Sequence, residues 1–350
     1  MSLLTSWLRL GSPWSKRQHC PCVSHDSLAI VEKADVLREQ RLDSRTEKAR
    51  ALAKTIVHTH SELLKLPHLR PAPAINQLLG NLVSVCSEIH DREFVDKVLS
   101  NPDVQAVLPS LRQICARAES CLELHWAEHI LSSEGSPDEV LDRLKAFPYY
   151  ENYEELTRLE YCAILSATKT APQRIAFIGS GPLPLTSLCL LQHLKQNPTN
   201  ALLANPPSSS SDAKPSHKDP VILNVDYDAS AIAASLTLSL ALGEPGRGME
   251  FICADAAAPS ERDLAEFDVV YMAALVGVTQ TEKESIILRV VDRMRAGALL
   301  VVRSSWGLRT CLYPEVDLAT EALLEKLECC VVVHPYGQVV NSVIVARVKA

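Results

Sequence analysis

The sequence predicts an α/β protein in two parts, and three observations carry that expectation. Up to about residue 165, apolar residues recur at spacings of three and four, and almost nothing alternates with period two. Beyond residue 170, short β-branched runs alternate with helical stretches. The last two of these runs are separated only by "PYGQ". The first pattern is that of amphipathic helices packed as a bundle. The second calls for a mostly parallel, doubly wound sheet. Four residues are too few for a parallel crossover, so the last two strands should pair antiparallel.

In chain order, residues 1–26 read as a disordered tail, with a mitochondrial presequence as the alternative. The first 25 residues contain no acid but include Trp7, Arg9, Trp14, Lys16 and Arg17. A helical lid domain is expected over 27–168. Leu52, Ile56, Val57, His60, Leu63 and Leu64 form one stripe, and Ile75, Leu78, Leu79, Leu82, Val83 and Cys86 a second. Leu111, Ile114, Cys115, Ala118, Leu122 and Trp126 form a third, in a helix that Pro109 should begin or kink. The second domain, 169–350, should carry strands at 175–178, 221–225, 250–253, 269–272, 299–303, 330–334 and 339–348. Helices are expected at 183–194, 230–242, 282–294 and 318–327. The proline- and serine-rich stretch 196–220 has little to bury and reads as a disordered insertion.

Composition excludes several classes. A net charge of −7 argues against electrostatic binding to nucleic acid, which needs a clustered basic face. No apolar run reaches the roughly 18–20 residues of a membrane span. The 11 cysteines are odd in number and scattered, which suits reduced thiols in a cytoplasmic protein better than a secreted disulfide frame. "HCPC" at 19–22 has no second pair at zinc spacing, so no metal site is expected. Oligomeric state is not legible.

The chemistry centres on "RIAFIGSGPLPLTS". A strand runs into a turn in which Gly179 and Gly181 let backbone approach a ligand closely. A dinucleotide fingerprint needs a third glycine and places a pyrophosphate on the helix N-terminus. Here Pro182 and Pro184 replace that flexible loop, which disfavours a pyrophosphate. The second strand ends in "NVDYD", placing Asp226, with Asp228 as fallback, to accept ribose hydroxyls. The third ends in "CAD", where Asp255 is placed for an adenine amino group. Ser180, Pro182, Leu183 and, past the fourth strand, Ala273 complete the expected adenosyl site. An adenosyl group with a methionine-type tail fits best, and a parallel sheet with a final antiparallel hairpin is the Rossmann-like layout of S-adenosylmethionine-dependent methyltransferases.

Beyond that layout, "FIGSGPLPLTS", "FDVVYMAALVG", "GALLVVRSSWGLRTCLYP" and "HPYGQVVNSVIVAR" closely resemble the nicotianamine synthases. So do "LPHLRPAPAINQLLGNLVSVC", "LELHWAEHIL" and "FPYYENYEELTRLEY" in the helical part. The resemblance runs in order from about 64 to 347 and departs from the family in the N-terminal extension and the serine-rich insertion. It implies transfer of the 3-amino-3-carboxypropyl group of S-adenosylmethionine, three times over. The implied products are nicotianamine, a metal chelator, and three methylthioadenosines, with no cofactor beyond S-adenosylmethionine as substrate. It implies a reaction chamber between a helical cap and the Rossmann-like part. By motif position it places the catalytic glutamate on Glu123 and its partner tyrosine on Tyr149.

Periodicity puts Glu123 one step around its helix from Leu122, at the edge of the buried face, where partial desolvation raises a carboxyl pKa. Glu119, one turn earlier, is its rival as base. Arg303, at the end of "LLVVRSS", is expected to clamp a substrate carboxylate, and Asn341 to shape the chamber. His125 reads as packed beside Trp126. The alternatives are a single transfer onto another amino acid, as in opine-type metallophore synthases, an ordinary methyltransferase, or a binding protein without turnover.

Overall fold

The computed structural model describes residues 25–196, 219–256, 258, 263–277 and 279–350, with backbone alone at 25–39 and 41. Residues 1–24 of the expected tail, with "HCPC", and 197–218 of the expected insertion lie outside the described residues. The chain divides into two units, Met1–Lys48 and Ala49–Ala350. Of the first, the structure describes the start of a helix, α1, His25–Leu64, which runs on into the second. The second unit, Ala49–Ala350, holds both the helices from the end of α1 to residue 168 and the sheet after them.

Five further helices precede the sheet: α2 (Pro73–Ser87), α3 (Arg92–Leu99), α4 (Pro102–Leu131), α5 (Pro137–Lys145) and α6 (Tyr150–Ala167). The alternation then runs β1 (Arg174–Ile178), α7 (Leu185–Gln196), β2 (Val221–Asp226), α8 (Ala229–Leu242), β3 (Met249–Cys253), β4 (Val269–Met272), α9 (Gln280–Val291), β5 (Leu299–Ser304), α10 (Glu321–Lys326), β6 (Leu327–Val333) and β7 (Ser342–Val348). The sheet order is β3-β2-β1-β4-β5-β7-β6. β1 to β5 pair in parallel, whereas β7 runs antiparallel to both β5 and β6. The α/β expectation and its final antiparallel hairpin therefore hold. The last strand starts at Ser342, not 339, so the hairpin connection is longer than "PYGQ".

Both faces of the sheet are covered, which is why its strands read as continuous apolar runs. Ile175 and Phe177 point toward α6 and α7, whereas Ala176 and Ile178 point to the face that α9 closes with Ile287, Val290 and Val291.

The element that positions the site is α4. It begins at Pro102, capped by the Asn101 side chain on the N–H groups of Asp103 and Val104, seven residues before the start expected from Pro109. Pro109 lies inside the helix, so tertiary packing overrides the local penalty of one missing backbone donor. The N-terminal half of α4 packs through Leu108, Leu111 and Ile114 on α1 to α3 and on Leu308, Cys311 and Leu312, in the segment after β5. Its C-terminal half packs through Ala127 and Ile130 on α5, α7 and α8. Between these two apolar clusters lie the two glutamates.

Candidate active site

The glycine turn is held by backbone and by one carboxylate. Gly179 and Ser180 donate to the Val225 carbonyl at 2.8 and 3.2 Å, and Gly181 N–H donates to Asp226 Oδ2 at 2.9 Å. Both glycines sit at positive φ, 80° and 67°. A Cβ on Gly179 would lie 2.5 Å from Val276 Cγ2, and one on Gly181 2.6 Å from Glu123 Oε2. The glutamate of α4 is thus set directly upon the turn at the end of β1.

Glu123 is oriented from α6. Tyr153 Oη donates to its Oε1 at 2.8 Å. Burial first, with the Glu119 charge second, pushes the Glu123 carboxyl up to about 8; the Tyr153 hydrogen bond and Arg303 pull the other way. Glu119, one turn back, accepts from Tyr313 Oη at 2.8 Å, and burial raises its pKa too. Glu119, Glu123, Tyr153 and Tyr313 all keep partial solvent access at this depth, as groups lining a crevice do.

Tyr149, the tyrosine matched by motif position, does not make the contact to Glu123. It is the residue just before α6, 43% exposed, with its ring against Phe147. The helix starts at Tyr150, which turns Tyr153, Leu156 and Glu160 onto one inner face. That i, i+3, i+7 stripe was readable in "YENYEELTRLE" and would have found Tyr153.

Arg303 is not a free clamp. It is buried in β5, with Nε 2.6 Å from Glu160 Oε1 and Nη2 3.1 Å from Glu160 Oε2 and 2.7 Å from Thr186 Oγ1. Its bidentate fork is occupied by α6, and a second carboxylate finds no such fork there. Burial alone would lower its pKa, but the Glu160 charge outweighs this and holds it fully protonated. Nη1 makes no hydrogen bond among the described residues and stays available to a single acceptor, and the charge also acts on Glu119 and Glu123.

The other expected residues divide. Asp226 bridges Gly181 N–H and Asp228 N–H at the end of β2. Asp228, the alternative, caps α8 by accepting from Ser230 N–H. Ser180 Oγ is buried without a partner among the described residues, an orphan polar atom in the turn that a bound polar ligand would satisfy. Asn341 Nδ2 is another such orphan. Pro182 and Leu183 are buried, and Leu183 joins the apolar cluster under α4, so the turn presents backbone rather than these side chains. Asp255 borders a hollow lined by Ile178, Val225, Ala254, Ala256 and Leu264. Ala273 N–H bonds to the Ile178 carbonyl and its methyl lies close to Gly179. His125 is exposed, not packed.

Lys283, of α9, gave no signal in the sequence. It is 1% exposed, its Nζ donates to the Ala273 and Ala274 carbonyls at 3.1 and 2.8 Å, and burial lowers its pKa to about 7. It ties down the turn that walls the glycine loop. Nothing in "TEKES" distinguishes it from a solvated helix lysine.

A doubly wound sheet with a close-approach turn at its β1 end, roofed by a helix carrying two half-buried acids, defines a Rossmann-like α/β transferase. A family model described as "Nicotianamine synthase protein" matches residues 45–350, and the chain belongs to that family. Nicotianamine synthase 2 of Oryza sativa subsp. japonica is 35% identical over 310 residues, covering 87% of this chain and 85% of the relative. Nicotianamine synthase 9 of Hordeum vulgare is 36% identical over 299 residues, covering 85% and 78%. Two solved structures share the fold. A mutant of MtNAS in complex with S-adenosylmethionine superposes with a TM-score of 0.64 at 22% identity, over 85% of this chain and 98% of that one. MtNAS in complex with MTA and tNA gives 0.64 at 20% identity, over 87% and 98%.

Proposed function

We propose that the chain is a nicotianamine synthase that condenses three S-adenosylmethionines by 3-amino-3-carboxypropyl transfer, and that Glu123 is a proton acceptor in that reaction. In each transfer an amine lone pair attacks Cγ of the amino-acid arm. The Cγ–S bond breaks, its electron pair goes to sulfur, and neutral methylthioadenosine leaves. The amine proton passes to a carboxylate. Which of the three sulfonium carbons reacts is decided by which one the amine meets in line.

The observation that carries this reading is the placement of the Glu123 carboxyl on Gly181, held by Tyr153. A base near pKa 8 suits an alkylammonium proton donor, because the gap between donor and acceptor is small. The positive sulfonium, once near, favours the ionised carboxylate. Ser180, Asp226, Asp255 and Ala273 are the groups we assign to the adenosyl part, and Tyr149 and Asn341 to incoming amino-acid groups. Arg303 supports the chamber through Glu160 and has only Nη1 left to offer an incoming group. No helix among the described residues is long and apolar enough to cross a membrane, and the cysteines described are all free thiols. Both fit a cytoplasmic enzyme making a metal chelator from a small-molecule substrate.

Glu123→Gln tests the assignment. Turnover of S-adenosylmethionine should fall by about 100-fold or more, while calorimetric binding of S-adenosylmethionine stays within a few-fold of the parent. Undiminished turnover would remove Glu123 from the chemistry.

A further inference from the structure

Glu123 with Tyr153 is not the only carboxyl–phenol pair in the crevice. Glu119 sits one turn back on α4, and Tyr313, from the segment after β5, donates to its Oε2 at 2.8 Å. Tyr313 is itself fixed, since Ser305 Oγ donates to its carbonyl at 2.8 Å. The pairs are built alike from different elements, one phenol coming from α6 and the other from beyond β5. A carboxyl kept only for stability beside another acid costs desolvation and repulsion without a cation paired to it. Arg303, the nearby cation, has its fork on Glu160.

We infer that Glu119, held by Tyr313, is a second proton-accepting station that serves the amine of the growing chain, while Glu123 serves the amine beside the glycine turn. This inference rests on the aminocarboxypropyl-transfer reading given above. Each transfer puts three carbons between one nitrogen and the next, roughly 5 Å in an extended chain. One turn of α4 separates the two carboxyl-bearing residues by roughly 6 Å along the axis. Successive nitrogens of the product therefore fall in step with successive acids of the helix. The new bond is N–Cγ, the broken bond is Cγ–S, the electron pair leaves on methylthioadenosine, and the displaced proton goes to Glu119 in place of Glu123.

The groups that face Glu119 are Tyr313, Glu123 and Tyr153, the thiol of Cys115, and the Arg303 charge. Burial, the largest influence, holds Glu119 above the usual carboxylate range, whereas Tyr313 and Arg303 act to lower it. The pair Glu119 and Glu123 therefore ionises in two steps, and a later transfer should need one more ionisation than the first.

The test is single-turnover and steady-state mass spectrometry of the full chain with S-adenosylmethionine alone. It follows methylthioadenosine, the partly extended intermediate and the final product from pH 6 to 9. For Glu119→Gln and for Tyr313→Phe, the ratio of intermediate to final product should rise about tenfold or more over the parent. The pH profile of the final step should lose an ionisation that the first step never showed. An unchanged ratio and profile overturns the inference. So does an equal slowing of every step with a lower melting temperature, which marks a structural role. If Glu119→Gln fails to fold, the result for Tyr313→Phe decides by the same criteria. A parent that releases no methylthioadenosine refutes the underlying reading instead, a separate and recognisable outcome.

Discussion

Glu123 and Tyr153 are thirty residues apart in sequence and 2.8 Å apart in space. The glutamate was legible through the family resemblance of "LELHW", and helix periodicity added only that it stands at the edge of a buried face. Its phenol was legible only in part. "FPYYENY" offers three tyrosines, and which one turns inward depends on where α6 starts, a boundary that local signals fix poorly. The ion pair of Arg303 was hidden for a different reason. Its partner Glu160 is 143 residues away, and no local pattern announces such a pair. The Tyr153 bond lowers the Glu123 pKa, so removing it should raise that pKa further. Tyr153→Phe should therefore shift the acid limb of the pH–rate profile to higher pH, and reduce the rate at pH 7 by about tenfold, given that one charge-assisted hydrogen bond is worth about 1.5–3 kcal/mol. Tyr149→Phe should leave that limb where it is. Rates measured from pH 6 to 9 on both variants decide the matter, and equal shifts would contradict the assignment.

At the scale of elements, α4 and the glycine turn act on each other. The helix is anchored at one end on α1 to α3 and at the other on α7 and α8, which leaves its middle free to carry acids. Arg112 of α4 adds a bond from Nε to the Thr310 carbonyl at 2.8 Å. The turn must be glycine at 181 twice over, for its positive φ and for the space that Glu123 occupies. Gly181→Ala should cost about 1–2 kcal/mol of backbone strain and displace the Glu123 carboxyl. The expected result is a modest drop in melting temperature and a much larger drop in turnover. A variant with lowered stability but full turnover would show that Glu123 need not touch the turn. The sequence made the strand–turn–helix readable because glycine and proline punctuate it. The roofing of that turn by α4 was not readable, since it follows from packing between segments some sixty residues apart.

Across the whole molecule, the sheet and the helices before it are tied by a buried ion pair. Arg303 of β5 and Glu160 of α6 meet at 2.6 Å with side chains 8% and 0% exposed. Removing one partner of such a pair leaves a buried charge, so Glu160→Gln should destabilise the fold by about 3–5 kcal/mol in urea unfolding. A loss below about 1 kcal/mol would show that the pair is solvated. The alternation of short strands and helices made the sheet and its final antiparallel hairpin legible, because period and connection length constrain topology. The order in which the helices stack on α4 was hidden, because every one of them offers a similar apolar stripe.

The central claim is tested most directly by the by-products of the intact protein incubated with S-adenosylmethionine and nothing else. The account predicts nicotianamine with three methylthioadenosines per product molecule. S-adenosylhomocysteine in place of methylthioadenosine, or turnover only when another amino acid is supplied, would contradict it.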